Sequence, residues 1–300
     1  ERIVTTPGYY EYLKIAEGCD KRCTYCIIPK VRGSYRSFPV EYLVKQAEKL
    51  VDGGVKEIIL VAQETTLYGV DLYGKKSLPM LLHELAKIED LRWIRILYCY
   101  PEEINDELIE AIKNEPKVCH YLDMPIQHAS DNVLKRMGRR TDKQELIDIV
   151  AKLRREIPDI ALRTTLITGF PGETDEDFAE TLDVVRKVRY DNAYTFIYSK
   201  RTGTPAAAME NQVAPEDNKR RFDQLLALVQ SLAKEQTARF AGTVQEVLVE
   251  EVNDHKEGYV TGRMSNNLLV HFPGDASLIG QYRNVQLEEC RGFYYMGTVV

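Results

Sequence analysis

Three cysteines stand within eight positions near the start of the chain. Cys19, Cys23 and Cys26 lie in the segment EGCDKRCTYCIIP, with the spacing CxxxCxxC. Cysteine thiolates bind zinc and iron, and a closed tetrahedral zinc site needs four ligands. This group is one ligand short of such a site, so its chemistry depends on what takes the fourth position.

A structural zinc site is the first alternative. Such a site uses four Cys or His ligands, usually as two paired knuckles. The sequence has no second cysteine pair, and Cys119 and His120 are adjacent but isolated. An iron–sulfur cluster fits better, because cysteine thiolates are its usual ligands. Three thiolates on a [4Fe–4S] cluster leave one iron open to a substrate or cofactor.

Composition predicts a globular, cytoplasmic protein. Hydrophobic residues make up 44% and charged residues 29% of the 300 positions, which is enough for a sizeable core. The net charge of −6 excludes binding of nucleic acid through the overall charge. No run approaches 18 apolar residues, so no membrane contact is expected. A disulfide framework is not expected either, and we place the three scattered cysteines in the core or in strands: Cys99, Cys119 and Cys290.

Between Tyr9 and about Gly242, strand patterns alternate with helical patterns. The six strand patterns are YYEYLKIA, KEIILVAQ, RWIRILY, HYLDMPI, ALRTTLITG and NAYTFIYS. The helical runs have apolar residues at three- and four-residue spacing, and Asn105 and Thr174 are N-cap signals. Six βα units predict an α/β fold with parallel strands, either a partial (three-quarter) TIM-type (βα)6 barrel or a doubly wound sheet. In both folds chemistry lies at the carboxyl ends of the strands, where the three cysteines fall.

After Gly242 the pattern changes to five short alternating strands broken by Gly, Asn and Pro. This pattern predicts a small antiparallel β-barrel of OB-like type. We therefore expect two domains, residues 1–235 and residues 236–300. The second has eight acidic and five basic residues, a net charge of −3. A barrel that grips RNA is expected to have a basic face, so a protein partner is favoured and RNA contact is not.

One dense basic run, LKRMGRRTDK, contains five cations between Lys135 and Lys143. It fits a solvated helix end. It equally fits a surface that receives an acidic substrate loop or an RNA phosphate, so it does not discriminate between the two kinds of partner.

The cysteine segment resembles the radical S-adenosylmethionine (radical SAM) enzymes. CxxxCxxC is their signature, and Tyr25, directly before the third cysteine, also fits the pattern. The resemblance implies that Cys19, Cys23 and Cys26 hold a [4Fe–4S] cluster whose open iron binds SAM through its amino and carboxylate groups. One electron from the reduced cluster would cleave SAM to methionine and a 5′-deoxyadenosyl radical. We assign no catalytic residue beyond the cluster ligands.

Five residues are candidate contacts for SAM. Tyr25 belongs to the cysteine motif. Glu64, in VAQETT, either accepts hydrogen bonds from the SAM ammonium group or is a solvated loop carboxylate. Gln127, in MPIQHAS, is placed to face the ribose or the carboxylate, and Arg163 needs an anionic partner such as the SAM carboxylate or a nearby Glu. Tyr198, in FIYSKRTGTP, either lines the adenine or packs in the core.

Longer stretches resemble the methylthiotransferase family, which replaces a C–H hydrogen by a methylthio group. They are EGCDKRCTYCIIPKVRGSYRS, PIQHASDNVLKRMGRRTD and TTLITGFPGETDEDF, followed by a barrel of the TRAM type that ends in GFYYMGTVV. The family has a second [4Fe–4S] cluster, bound by three more cysteines in a preceding domain. The resemblance therefore implies that this chain is the central and C-terminal part of a longer enzyme, which also needs an external electron donor.

Two branches of the family differ in substrate. One modifies an aspartate side chain of small-subunit ribosomal protein S-twelve, and the other modifies an adenosine in transfer RNA. The stretch AQETTLYGVDLYGKKSLPMLLHELAKI resembles the protein-modifying branch, so this ribosomal protein or the ribosome is the expected partner. A non-catalytic RNA- or ribosome-binding metal protein remains as the alternative from a different class.

Overall fold

The fold was analysed in a computed structural model, which describes residues 8–300. The first eight strands lie in the amino-terminal part of the chain. In chain order they are β1 (Tyr10–Lys14), β2 (Ala16–Glu17), β3 (Arg36–Ser37), β4 (Glu57–Val61), β5 (Trp93–Ile96), β6 (Val118–Asp123), β7 (Ala161–Thr168) and β8 (Asn192–Ile197). β2 and β3 form a separate antiparallel ribbon.

Six of these strands form one parallel sheet in the order β1-β4-β5-β6-β7-β8. This order follows the chain throughout. A doubly wound sheet reverses its strand order at a switch point, whereas a (βα) barrel does not. The partial barrel is therefore the correct alternative, and the predicted fold class is confirmed.

Nine helices connect and flank the strands in the described part of the chain. They are α1 (Ile28–Arg32), α2 (Val40–Asp52), α3 (Val70–Tyr73), α4 (Leu78–Ala86), α5 (Asp106–Asn114), α6 (Asp131–Met137), α7 (Lys143–Glu156), α8 (Asp175–Val188) and α9 (Pro215–Ala238). The predicted caps are present, because the Asn105 side chain accepts a hydrogen bond from Leu108 N and Thr174 forms a capping box with Asp177. The main apolar core lies between these helices and the outer face of the sheet.

The inner face of the sheet is polar and aromatic. Strand residues alternate between the two faces, so every second side chain points inward. Arg95 of β5 lies over the ring of Tyr121 of β6, 5.1 Å from its centroid. Arg163 of β7 lies over the same ring at 5.7 Å and over the ring of Tyr194 of β8 at 4.7 Å. A row of guanidinium groups and phenol rings therefore crosses the middle of the partial barrel.

The C-terminal part is a closed barrel of five strands. They are β9 (Val244–Val252), β10 (Tyr259–Met264), β11 (Leu269–Pro273), β12 (Tyr282–Cys290) and β13 (Tyr294–Val299). Four of its pairings are antiparallel, and β11 pairs with β13 in parallel. Alternation of apolar residues does not reveal strand direction, so the parallel pairing was not predictable from it. The division at residues 235 and 236 stays a prediction.

Buried ion pairs join the small barrel to the amino ends of β4 and β5. Glu57 has no exposed surface and accepts from Arg95 Nε at 2.7 Å and from Arg263 Nη2 at 2.8 Å. Arg263 also pairs with Glu250, and Arg95 Nη1 donates to Ser265 O at 2.6 Å. Burial alone would raise the pKa of Glu57, but the two guanidinium groups outweigh it and hold that pKa below its ordinary value. The interface is therefore a charged network whose members depend on one another.

Among residues 8–300, no helix has the length and apolar character needed to cross a membrane.

We predict that Arg263→Met lowers the free energy of unfolding by about 3 kcal/mol, because removing one partner from a buried ion pair leaves charge uncompensated. Urea unfolding followed by circular dichroism measures the change. The matched control is Lys219→Met, which removes a 75% exposed side chain paired with Asp223. The control should cost about 0.5 kcal/mol or less. Equal losses in the two variants would contradict this account of the interface.

Candidate active site

The three cysteines lie in the loop that joins β2 to α1, beside the carboxyl ends of the parallel strands. Backbone hydrogen bonds fix the loop at both ends. Cys19 N donates to Gly33 O at 3.1 Å, and Cys26 N donates to Cys23 O at 3.0 Å. In the middle, Thr24 N donates to the carbonyl of Met137, the last residue of α6, at 2.9 Å. The thiols are therefore presented by a fixed backbone.

Two glycines allow this loop to approach its neighbours closely. Gly18 has a φ of +80°, and a Cβ there would come within 2.2 Å of Ser34 O. Gly138, with a φ of +73°, ends α6, and a Cβ there would stand 2.9 Å from Arg22 O. Only glycine combines this backbone conformation with such short contacts. These two positions therefore determine where the loop lies.

The three thiols are free, and two are almost completely buried. Cys19 is 6% exposed and Cys23 is 5% exposed. Burial raises the pKa of Cys19 to about 11, and the charges of Cys23 and Glu64 add to that shift. Burial also raises the pKa of Cys26. A positively charged group bound to the sulfurs would reverse this cost, since coordination deprotonates a thiol outright.

The arrangement does not match a site for one metal ion. Within residues 8–300, no three or more His, Cys, Asp and Glu side chains are grouped to hold such an ion. Thiolates that bind three different irons of a cluster stand farther apart than thiolates on a single zinc. A cluster therefore does not require its three cysteines to meet at one point.

An open cleft of about 610 Å³ adjoins the loop. This volume lies in the range of sites for drug-sized and cofactor-sized molecules. Its wall includes two of the cysteines and side chains of β1 and of the segment after β5, namely Cys19, Cys26, Tyr12, Lys14, Tyr98 and Tyr100. A ligand in the cleft would be in reach of the cysteine loop.

Glu64 is buried close to Cys19. It has no exposed surface, so the alternative of a solvated loop carboxylate is wrong. Its Oε1 accepts from Thr66 N at 2.8 Å, whereas its Oε2 has no hydrogen-bond partner among the described residues. Burial raises the pKa of Glu64 to about 7. A buried carboxylate oxygen without a donor is costly, so this oxygen is available to a cationic ligand group.

The structure brings Tyr25 and Tyr198 to the same small apolar cluster, which contains Phe170 and Met137. The rings of Tyr198 and Phe170 meet edge to face at 5.5 Å. The Tyr198 hydroxyl is buried without a hydrogen-bond partner among the described residues. Tyr198 therefore packs in this cluster and still has a donor and acceptor to offer. The contact of either residue with SAM stays a prediction.

Gln127 pairs with β7, and Arg163 lies on that strand. Gln127 has a φ of +71° and extends the sheet, with its N–H donating to Thr165 O at 2.9 Å. Arg163 Nε donates to Asp123 Oδ1 at 2.9 Å, and its Nη1 donates to the Tyr194 hydroxyl at 3.2 Å. The anionic partner of Arg163 is thus an aspartate of the neighbouring strand. The contacts of both residues with SAM stay predictions.

Sequence reasoning missed a buried group behind the loop. Arg139, part of the dense basic run, is only 6% exposed and stacks 4.2 Å from the ring centroid of Tyr100. The run is therefore not simply a solvated helix end. The Tyr100 hydroxyl lies 3.9 Å from Cys23 Sγ. Lys21 Nζ also contacts the Tyr100 ring, 5.0 Å from its centroid. The sequence signal that could have indicated this group was the position of Tyr100 shortly after a predicted parallel strand.

Comparison with protein families covers most of the chain. A model described as "Radical SAM superfamily" matches residues 13–185, and a TRAM domain model matches residues 238–300. The ribosomal protein uS12 methylthiotransferase RimO of Lachnoclostridium phytofermentans is 52% identical over 99% of this chain and 69% of its own length. The chain belongs to the RimO family of the radical SAM superfamily. RimO of Clostridium perfringens strain SM101 is 47% identical over 99% of the chain and 67% of its own length.

Solved structures share the fold at low identity. The methyltransferase TsrM of Kitasatospora setae has a TM-score of 0.55 and 17% identity, covering 66% of this chain and 38% of its own. Coproporphyrinogen III oxidase HemN of Escherichia coli has a TM-score of 0.53 and 16% identity, covering 95% of this chain and 70% of its own. The TsrM structure is described with cobalamin and a [4Fe–4S] cluster bound. These likenesses confirm the radical SAM fold.

Membership of the family settles the class of protein. The chain is a radical SAM enzyme, and the predicted cofactors, a [4Fe–4S] cluster and SAM, are those of the superfamily. The donor set fits them, because one loop supplies three free thiols, two of which are almost completely buried. The alternative of a non-catalytic metal protein is excluded by the RimO relationship.

We predict that Glu64 makes the cofactor-free chain less stable as pH rises. Its folded pKa of about 7 lies above the ordinary 4.5, so between these values the folded form holds a proton that the unfolded form has lost. Stability is therefore greatest below the unfolded pKa and falls toward neutral pH, by up to about 1.4 kcal/mol per pH unit. Urea unfolding at pH about 5 and about 7 measures the slope.

Glu64→Gln should remove this contribution and make the slope less negative. Glu180→Gln, at an exposed helix position, is the matched control and should retain the slope of the unsubstituted chain. An unchanged slope in Glu64→Gln would show that this carboxyl does not titrate as its burial requires.

Proposed function

We propose that this chain adds a methylthio group to an aspartate side chain of ribosomal protein uS12. The observation that carries the proposal is 52% identity, over 99% of the chain, to a relative named ribosomal protein uS12 methylthiotransferase RimO. The cysteine loop beside an open cleft supports the same reaction class. Methylthiolation of an adenosine in transfer RNA is the competing outcome.

Within this proposal, Cys19, Cys23 and Cys26 would hold the cluster, and its open iron would bind SAM. When bound, the cluster supplies the electron that cleaves SAM. The residues of the chain bind and orient the cofactors: the unpartnered Oε2 of Glu64 accepts from the SAM ammonium group, and Tyr25 supplies apolar contact from the loop itself. The electron comes from an external donor.

The inner face of the partial barrel offers a binding surface for a protein loop. Large exposed side chains lie there and at its mouth, with exposed fractions of 41% for Tyr12, 46% for Tyr98, 48% for Tyr194 and 53% for Phe196. Groups of exposed aromatic side chains mark interaction sites in soluble proteins. They would pack against the substrate segment that carries the aspartate.

The charge of the small barrel also favours a protein partner. Arg263 is buried in the interface, and Arg239 pairs with Asp191 at 2.6 Å, so neither contributes a free outer cation. Besides Arg239, two basic side chains of residues 236–300 are exposed, Lys256 and Arg291, and Arg291 pairs with Glu289 at 2.8 Å. Six acidic ones are exposed: Glu251, Asp254, Glu257, Asp275, Glu288 and Glu289. Such a surface attracts a basic ribosomal protein better than RNA phosphates, and a substrate on the ribosome would place the reaction in the cytoplasm.

We predict that Cys23→Ala abolishes SAM cleavage and lowers the iron content of the anaerobically reconstituted chain. Removing one of three thiolates leaves too few ligands for a stable cluster. Iron analysis and detection of 5′-deoxyadenosine by chromatography provide the measurements. The control is Cys290→Ala, at a half-buried position in β12 of the small barrel, which should retain both properties. Retained iron and SAM cleavage in Cys23→Ala would contradict the assignment of Cys23 as a cluster ligand.

The substrate is tested by offering uS12 and unmodified transfer RNA together. The complete gene product is reconstituted with iron and sulfide without oxygen and supplied with SAM and a chemical reductant. Mass spectrometry of both substrates then detects an added methylthio group. Modification of an aspartate in uS12, absent with Cys23→Ala, is the expected result. Modification of the RNA alone would overturn the proposed substrate.

A further inference from the structure

The Tyr100 phenol contacts two cations and a cysteine. Its hydroxyl stands 3.9 Å from Cys23 Sγ, within hydrogen-bond range of sulfur. Lys21 Nζ lies 5.0 Å and the Arg139 guanidinium 4.2 Å from the ring centroid, both in the range of cation–π contacts. A thiolate accepts and does not donate, so once Cys23 is a ligand the phenol is the donor.

The Arg139 guanidinium has spare donors. It is 6% exposed, its Nη2 donates to Pro125 O at 2.9 Å, and its closest carboxylate, Glu102, lies 3.7 Å away. Its Nε and Nη1 have no hydrogen-bond partner among the described residues. A buried guanidinium with unused N–H groups is costly unless negative charge develops nearby. The Cys23 sulfur is among the groups whose charge acts on this arginine.

Carboxylates balance part of this positive charge. Lys21 pairs with Glu103 and lies 3.4 Å from Glu102, and Glu103 also pairs with Lys76 at 2.8 Å. These groups hold Lys21 in place over the ring. The contacts of Arg139 with Pro125 O and Tyr100 similarly fix the second cation, so the phenol has a fixed orientation toward the sulfur.

We propose that Tyr100, whose ring contacts Lys21 and Arg139, raises the reduction potential of the cluster through a hydrogen bond to Cys23. The inference rests on the proposed function, since it requires the cluster on the three cysteines. Reduction adds one negative charge to the cluster. A donor to a ligand sulfur and a nearby buried cation stabilise that charge more in the reduced form than in the oxidised form. Tyr100 and Arg139 are positioning residues, because they act through Cys23.

The test is a redox titration of the 300-residue chain, reconstituted with its cluster and followed by electron paramagnetic resonance with chemical mediators. In Tyr100→Phe we expect an about tenfold lower ratio of reduced to oxidised cluster at a fixed potential, which corresponds to a downward shift of about 59 mV for a one-electron couple. The matched control is Tyr42→Phe, at a 50% exposed position on α2, which should titrate like the unsubstituted chain.

Two further variants separate charge from packing. Arg139→Met removes the cation at similar length and should lower the potential, whereas Arg139→Lys retains the charge and should restore part of the loss. If Tyr100→Phe does not hold its cluster, the comparison of these two variants decides the question. Equal potentials in both would overturn the proposal.

The failures of the two proposals are distinguishable. An unchanged potential in Tyr100→Phe with a full complement of iron would overturn the role of the phenol and leave the cluster assignment intact. Absence of a reducible cluster in the unsubstituted chain would overturn the proposed function itself.

Discussion

Glu57 has no exposed surface, and two guanidinium groups from different parts of the chain neutralise it. Arg95 comes from the neighbouring strand and Arg263 from the small barrel, so this carboxylate holds the two domains together at the amino end of the sheet. The domains are thus joined by charges that are satisfied only in the assembled fold. With that end of β4 and β5 covered, the loops at the carboxyl end are where a ligand and a substrate can enter.

At the carboxyl end, backbone geometry positions the chemistry. The conformations of Gly18 and Gly138 let the cysteine loop lie against the segment after α1 and the end of α6. The loop then buries two of its thiols near Glu64, and this burial raises the pKa of Cys19 and of Glu64 because it disfavours their charged forms. A cluster and the ammonium group of SAM would offset this cost. The burial that raises these pKa values therefore favours ligands that are positively charged where they contact the sulfurs and the carboxylate.

Much of the fold was predictable because its signals are local. The six strand patterns and the caps at Asn105 and Thr174 depend on neighbouring residues, and the cysteine spacing with its place after the first strand located the site. The burial of Arg139 was not predictable, since its partners Tyr100 and Pro125 come from distant segments. The seven-residue helix α6 is too short for a clear periodicity. The partner of Arg163 likewise depends on the stagger between β6 and β7, which pairs it with Asp123.

The central claim is that three cysteines of one loop hold a four-iron cluster and leave one iron open. Mössbauer spectroscopy tests it most directly, on the chain reconstituted with isotopically enriched iron and compared before and after addition of SAM. The account predicts the spectrum of a [4Fe–4S] cluster in which SAM changes the signal of one iron and leaves the other three unchanged. A cluster whose four irons do not respond to SAM, or a protein without such a cluster, would contradict it.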